Sequence, residues 1–247
     1  MNNTFYDRYH EFQASVSNPD AEISHTSSEL DEYLSIYLPD SREASILDIG
    51  CGWGKYLAAL RKRGYTNLLG VDISHDQIQF GHSIGIDCIN HGEIKELLSS
   101  TCKYDCIFAM DVFEHLELQY LTELIPMIFA SLKDGGKLIV QVPNGHCLMN
   151  FNLYGDITHL RGFNEHSLTA LFNLGGGVPV AFIEGKPSKS FRAIIWKLIV
   201  RPLINFTFQV IHGRWKSSVF SPNIIAVATR GQRRGTPKEE LACLYQK

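Results

Sequence analysis

The sequence predicts an α/β fold: a doubly wound, mostly parallel sheet of seven strands with helices on both faces. Three observations carry that prediction. Short apolar runs alternate with helical patterns from about residue 45 to residue 185. Within them, Ile46-Leu-Asp-Ile-Gly-Cys-Gly-Trp-Gly-Lys55 sets an apolar run, three alternate glycines and an amphipathic segment, Tyr56–Arg63, in succession. That order reads as strand, tight turn and helix, because glycine admits positive φ and a close backbone approach. Finally, Asp72 closes the next apolar run, about 20 residues downstream, where an acid in a nucleotide-binding βαβ unit meets the ribose hydroxyls.

The elements follow in order. Residues 1–28 are polar, with Phe5, Tyr6, Tyr9 and Phe12 among them; Phe5, Tyr9 and Phe12 share one helical face. Ser27-Ser-Glu-Leu opens a helix that runs to Leu38 and stops at Pro39. Strand Ser45–Ile49, helix Lys55–Arg63, strand Leu68–Asp72, helix Ser74–Ser83, strand Asp87–Asn90 and helix Ile94–Ser100 come next. Strand Tyr104–Ala109, helix His115–Leu132 and strand Lys137–Val142 complete the parallel part. Pro126 predicts a kink in the long helix, and Asp134-Gly135-Gly136 reads as a helix stop and turn. Residues 143–164 form an irregular loop, followed by helix Glu165–Leu174, three glycines and strand Val180–Glu184. Residues 186–220 interrupt the alternation before a last strand, Asn223–Thr229. The organisation expected is an N-terminal helical segment (1–44), a core (45–185), an apolar basic insertion (186–220), a last core strand (221–230) and a flexible tail (231–247).

Composition suits one domain with an insertion: 247 residues, 45% of them hydrophobic. Six cysteines occur without a CxxC pair or zinc-ligand spacing, and Cys102 and Cys106 flank an expected strand start, which suits burial. The expectation is a reduced, cytoplasmic protein, and the polar N-terminus shows no apolar signal region. The net charge of −3 conceals a split. Residues 1–185 hold 11 Lys/Arg against 24 Asp/Glu, and residues 186–247 hold 12 against 2. An acidic body with a basic C-terminal quarter points to an anionic surface as partner, either a membrane or nucleic acid.

The spacing Asp48-x-Gly50-x-Gly52-x-Gly54 differs from the dinucleotide fingerprint G-x-G-x-x-G. It resembles motif I of the class I S-adenosylmethionine (SAM) methyltransferases, a Rossmann-like family. Gly70-Val-Asp-Ile-Ser74 resembles the second motif and Gly92-Glu-Ile94 the stretch beside the adenine amino group. Tyr104–Asp111 resembles the fourth strand, and Leu132–Val140 the helix end, glycine turn and fifth strand. The likeness covers residues 46–143 and extends faintly to about residue 185, where three glycines stand in place of the family's single glycine and aromatic. It implies SAM as cofactor, held by Asp48, Gly50, Gly52, Gly54, Asp72, Ile73, Glu93, Ile94 and Met110. It also implies that the N-terminal segment is a lid; a helix packed on the sheet edge is the alternative.

Acceptor chemistry has two candidate segments at the carboxyl edge of the sheet, Asp111-Val-Phe-Glu114-His115 and Asp156-Ile-Thr-His159. Residues i, i+3 and i+4 share one face of a helical turn. Glu114 orienting His115, or His159, would serve as a general base on an acceptor hydroxyl. Asp111, Glu114, His115 and His159 together would hold a divalent cation such as magnesium. The turn resembles that of the ubiquinone-pathway and small-RNA O-methyltransferases, with Asp111 where those carry Glu. Base, metal and purely structural roles all remain open from sequence.

Phe191–Ile211 is apolar, carries Trp196, Phe206 and Phe208, and is punctuated by Arg192, Lys197, Arg201 and Pro202. Three charges and a proline argue against a membrane span and for an interfacial segment, residues 186–216, at the inner membrane face. A helical cap or dimer contact is the alternative; nucleic acid is not the expected partner, because RNA-binding modules usually show a clearer aromatic and Gly/Arg pattern. The layout resembles bacterial methyltransferases of surface-glycan synthesis, which implies O-methylation of a sugar hydroxyl. The competing readings are methylation of a quinone precursor or other small phenol, and a non-catalytic SAM-binding scaffold.

Overall fold

The structure is a computed structural model that describes residues 17–147, 150–184, 194–212 and 219–231. Seven strands form one sheet in the order β3-β2-β1-β4-β5-β7-β6. They are β1 (Ile46–Ile49), β2 (Leu68–Asp72), β3 (Ile89–His91), β4 (Tyr104–Met110), β5 (Leu132–Pro143), β6 (Gly177–Glu184) and β7 (Asn223–Arg230). All neighbours from β3 to β5 pair in parallel, and β7 runs antiparallel between β5 and β6. The sheet is thus the mostly parallel, doubly wound one expected. Strand β1 is buried along its whole length and β4 at all but one residue. Continuous apolar strands of that kind need cover on both faces, which two apolar clusters supply.

Helix α1 (Pro19–Glu29) continues as a π-helical turn, Leu30–Leu34. It starts eight residues before the predicted Ser27 because Asn18-Pro19-Asp20 is itself a helix start: the Asn18 side chain accepts from the Ala21 N–H at 3.1 Å, and proline occupies the first turn. Its buried Ile23, Leu30 and Leu34 join Tyr56, Leu57 and Leu60 of α2 (Lys55–Lys62) in one cluster. Arg63 ties the pair by donating to the Ser27 carbonyl at 2.8 Å and pairing with Asp31. The aromatic residues expected in the lid, Phe5 to Phe12, lie outside the described residues.

Helices α3 (His75–Ser83) and α4 (Ile94–Leu98) follow β2 and β3 as predicted. Helix α5 (Leu118–Ser131) does not begin at His115. Phe113–His115 form a separate 3₁₀ turn, and Leu116 is extended between the two. Pro126 does lie inside α5. At the other end, Asp134-Gly135-Gly136 is not a turn outside the sheet but part of β5, where the register with β4 shifts between Tyr104 and Cys106. A side chain at Gly136 would meet the Lys133 and Tyr104 carbonyls at 2.9 and 3.0 Å.

Beyond β5 come α6 (Phe151–Tyr154) and α7 (Glu165–Leu174), the latter closed at its start by a reciprocal Asn164–Ser167 capping box. The triple glycine after α7 has a packing cause: the Phe129 ring lies so close that a Cβ on Gly177 would sit 2.0 Å from it. Of the insertion, residues 194–212 are helical: a π turn, Trp196–Val200, leads into α8 (Arg201–His212). Among the described residues, no helix is long and apolar enough to cross a membrane. The expected tail, residues 232–247, lies outside them.

Candidate active site

The glycine turn leaves β1 with Gly50, Gly52 and Gly54 all at positive φ, 66°, 52° and 90°. The Gly50 and Cys51 N–H groups donate to the Val71 carbonyl at 2.8 and 3.1 Å, which locks the turn to β2. A Cβ on Gly50 would stand 2.5 Å from Val112, so the turn also seats against the end of β4. Asp72 closes it from the other side: one oxygen accepts from the Gly52 N–H and the other from the Ser74 N–H, both at 2.8 Å.

A cavity of about 1320 Å³ opens at this carboxyl edge. Asp48, Gly50, Gly52, Asp72, Ile73, Glu93, Ile94 and Met110 line it together, as the resemblance implies. Gly54 does not; it caps α2 and lies against Ile86 and Ile89, so its part is packing. Asp48 is 1% exposed, and neither of its oxygens has a hydrogen-bond partner. Burial, aided by the Asp72 charge and opposed by Lys55, pushes its pKa up to about 8. A buried acid without a partner, facing a cavity, demands a donor or cation from a ligand. The ammonium group of SAM supplies one, and the Asp72 carboxylate suits its ribose hydroxyls. The residues present therefore fit that cofactor.

The acceptor candidates Glu114, His115 and His159 line the same cavity. Glu114 is fully buried on the 3₁₀ turn, neither carboxylate oxygen has a hydrogen-bond partner, and burial raises its pKa to about 9. His159 Nε2 lies 3.8 Å from Glu114 Oε1, and the His115 and His159 rings stand 4.7 Å apart. The loop after α6 is fastened there: Leu160 N–H donates to the Glu114 carbonyl at 2.9 Å and Arg161 to the Leu116 carbonyl at 2.6 Å.

Hydrogen bonds fix the tautomers. The Thr158 hydroxyl donates to the Asp156 carboxylate at 2.6 Å, so toward His115 Nδ1, 2.8 Å away, it can only accept. His115 therefore carries its proton on Nδ1 and its lone pair on Nε2. His159 Nδ1 faces the Leu153 carbonyl at 3.1 Å, an acceptor only, which places the lone pair of that ring on Nε2 as well. Burial, then the His159 charge, lowers the His115 pKa to about 4, so the ring is neutral at pH 7.

Asp111 does not join this group. Its φ is 58°, and its carboxylate is taken by the Gln141 amide at 2.9 and 3.2 Å. One ligand atom each from Glu114, His115 and His159 lie within 4.8 Å of one another. Two imidazoles whose other nitrogens are held, with one carboxylate, make a donor set fit for a divalent metal. It suits a borderline transition metal better than magnesium, which prefers oxygen ligands.

Two groups escaped the sequence reading, Gln77 in the cavity lining and Thr158 bonded to the lining residues His115 and Asp156. Thr158 was only part of the Asp156–His159 segment, and nothing in its spacing marks it as a bridge. Gln77 is buried beside Gly52 with its side-chain oxygen unpartnered. Its local signal was the Ser74 cap, whose hydroxyl accepts from the Gln77 N–H.

Comparison with known proteins agrees with the geometry. A family model described as "Methyltransferase domain" matches residues 23–176. The sphingolipid C9-methyltransferase of Candida albicans is 25% identical over 107 residues, 39% of this chain and 21% of that protein. The trans-aconitate 2-methyltransferase of Deinococcus radiodurans is 27% identical over 146 residues, 57% of this chain and 49% of that protein. The chain thus spans half or less of the length of these curated relatives. A SAM-dependent methyltransferase structure from Archaeoglobus fulgidus superposes with a TM-score of 0.62 at 21% identity, over 83% of this chain and 93% of that one. With more than half of its residues matched, and the glycine turn, Asp48 and Asp72 gathered about one cavity, the chain belongs to the methyltransferase-domain family.

Proposed function

We propose that the protein transfers the methyl group of SAM to an acceptor hydroxyl, with His115 as the general base. The observation that supports this most is the Asp156–Thr158–His115 relay at the acceptor end of the cofactor cavity. SAM supplies an electrophilic methyl on a sulfonium, displaced in line. Asp48 binds the cofactor's ammonium group, Asp72 its ribose, and the glycine turn lets the backbone approach its methionine end. His115 then takes the proton of the acceptor oxygen at Nε2. A base held near pKa 4 is adequate when proton and methyl transfer overlap, because the protonated ether that would otherwise form is a far stronger acid than an imidazolium. The Thr158 hydroxyl accepts the Nδ1–H throughout and passes the stabilising pull of Asp156 to the forming cation. Were a divalent metal bound, Glu114, His115 and His159 would hold it, and it would acidify the acceptor hydroxyl.

The acceptor we favour is a sugar hydroxyl carried on an amphiphile. The polar cluster suits the hydroxyl, and Phe151, Tyr154 and Ile157, exposed by 83–91% next to the cavity, suit an apolar carrier. The same apolar rim supports a small phenol as the second reading. Label transfer tests both: the protein, methyl-labelled SAM and a set of acceptors comprising polyprenyl-linked sugars, free sugars and catechols. Methyl ether on the linked sugars is expected. Label on catechols alone selects the second reading, and SAM binding without transfer to any oxygen acceptor contradicts the O-methylation proposal.

A further inference from the structure

The insertion before the last strand carries a surface that the transfer reaction does not use. Residues 194–212 are helical, and Leu198, Ile199, Leu203, Phe206 and Val210 are 62–68% exposed. Leu203, Phe206 and Val210 recur at helical spacing along α8, while Arg201, Asn205 and Gln209 form a separate polar stripe. Large apolar side chains gathered so densely on a solvent-facing helix mark a contact surface.

Charge selects its occupant. From residue 185 to residue 238 the sequence holds no Asp or Glu and eleven Lys or Arg. The rest of the chain is acidic, so a second copy would set the basic helix against another basic helix, or leave its apolar face against an acidic surface. An anionic bilayer meets both needs, phosphates for the basic residues and acyl chains for the apolar ones.

Register fixes where that surface lies. Glu184, the last residue of β6, stands level with Ile224 of β7, and Ile224 with Val142 of β5. The insertion therefore leaves the sheet at the carboxyl edge, where the cavity opens. It returns there too: the Asn144 amide donates to the Val219 and Ser221 carbonyls at 3.1 and 2.9 Å, and Asn223 lines the cavity. Glu184 holds the excursion at two points, accepting from the Phe220 N–H at 3.0 Å near its end and pairing with Arg201 at 3.3 Å in its middle. The exposed Phe151 and Tyr154 belong to this edge as well, since Asn152 between them bonds Asn223 at 2.9 Å.

We infer that the helix of residues 194–212 docks in the headgroup region of an anionic lipid bilayer, lying along the surface, and sets the cavity mouth against the membrane. Its placement rests on the cavity and not on the identity of the acceptor, so docking is measured without methyl transfer. The full chain is sedimented with vesicles of phosphatidylcholine alone and with vesicles of equal parts phosphatidylcholine and phosphatidylglycerol, at low and high salt. The same is done for the double variant Leu203→Glu, Phe206→Glu, with SAM affinity as the measure of an intact core. Expected are binding to the anionic vesicles only, weakening at high salt, and loss of about tenfold or more in the variant, whose SAM affinity is unchanged. Equal pelleting of variant and wild type would overturn the proposal, as would no pelleting of the wild type with anionic vesicles. Sedimentation velocity gives a further overturning result: a wild-type dimer that the two substitutions split, without vesicle binding, makes this face a contact between copies.

Discussion

Replacing Thr158 by valine removes one hydroxyl and nearly nothing else, because the two side chains match in shape. That hydroxyl stands 2.8 Å from His115 Nδ1 and 2.6 Å from Asp156, and it is the bridge between them. In the resting protein the His115 ring is neutral, so the lost bond is an ordinary one. In the transition state the ring gains positive charge, and a hydrogen bond to a charged group contributes about 1.5–3 kcal/mol. The difference belongs to the chemical step. An ordinary hydrogen bond contributes about 1 kcal/mol, so about 0.5–2 kcal/mol remains; at about 1.4 kcal/mol per factor of ten, kcat should fall about 2- to 30-fold. SAM affinity should stay within about twofold, since Asp48, Asp72 and the glycine turn are untouched. The assay is single-turnover methyl transfer beside calorimetric titration of SAM. Thr158→Ser restores the hydroxyl and should recover most of the rate. Equal rates in the serine and valine variants would refute the relay, as would a valine variant whose SAM affinity falls as far as its kcat.

Three other outcomes follow from burial and packing. Gly177→Ala forces the Phe129 ring aside and should cost about 1–3 kcal/mol in denaturant unfolding, with m unchanged; a cost near zero would show that the ring yields freely. Glu114 has its pKa raised from 4.5 to about 9, so the folded state holds a proton that the unfolded chain releases, and its stabilising share is full below pH 4.5 and lost as pH rises through 9. Ligand-free wild type should therefore lose Tm from pH 5.5 to 8.5 more steeply than Glu114→Gln, and parallel Tm curves would contradict the burial argument. Asp48, raised to about 8, must ionise to pair with the SAM ammonium, so binding at pH 7 should release a proton. The measured enthalpy will then vary with the ionisation enthalpy of the buffer, and buffer-independent heats, or an Asp48→Asn variant that still releases the proton, would point to another partner.

The cofactor half of the site was legible in sequence because its chemistry is local. Three alternate glycines and an acid at the end of the next strand are fixed by chain geometry, and eight of the nine residues named for SAM line one cavity. Gly54 stands apart from that lining, because positive φ serves a cap as well as a cradle. The acceptor half was legible in part. Glu114, His115 and His159 do meet, but the i, i+3, i+4 spacing that grouped Glu114 and His115 also enlisted Asp111, and the chain makes a 3₁₀ turn there. Asp111 was lost to Gln141, a neighbour on β5 that only strand pairing reveals. Thr158 was invisible for the same reason: its partner is 43 residues away along the chain. The early start of α1 was readable at Asn18-Pro19-Asp20, and the serine pair at Ser27 drew attention from it.

Cofactor binding by Asp72 and acceptor activation by His115 are proposed as separate roles in one cavity, and a single paired measurement tests that division. SAM affinity by calorimetry and methyl transfer by label are taken together for wild type, Asp72→Ala and His115→Ala. The expected pattern is crossed: Asp72→Ala loses SAM affinity, and His115→Ala binds SAM as wild type does while its turnover falls by about a hundredfold or more. Matched losses of affinity and turnover in His115→Ala, or undiminished SAM binding in Asp72→Ala, would contradict it.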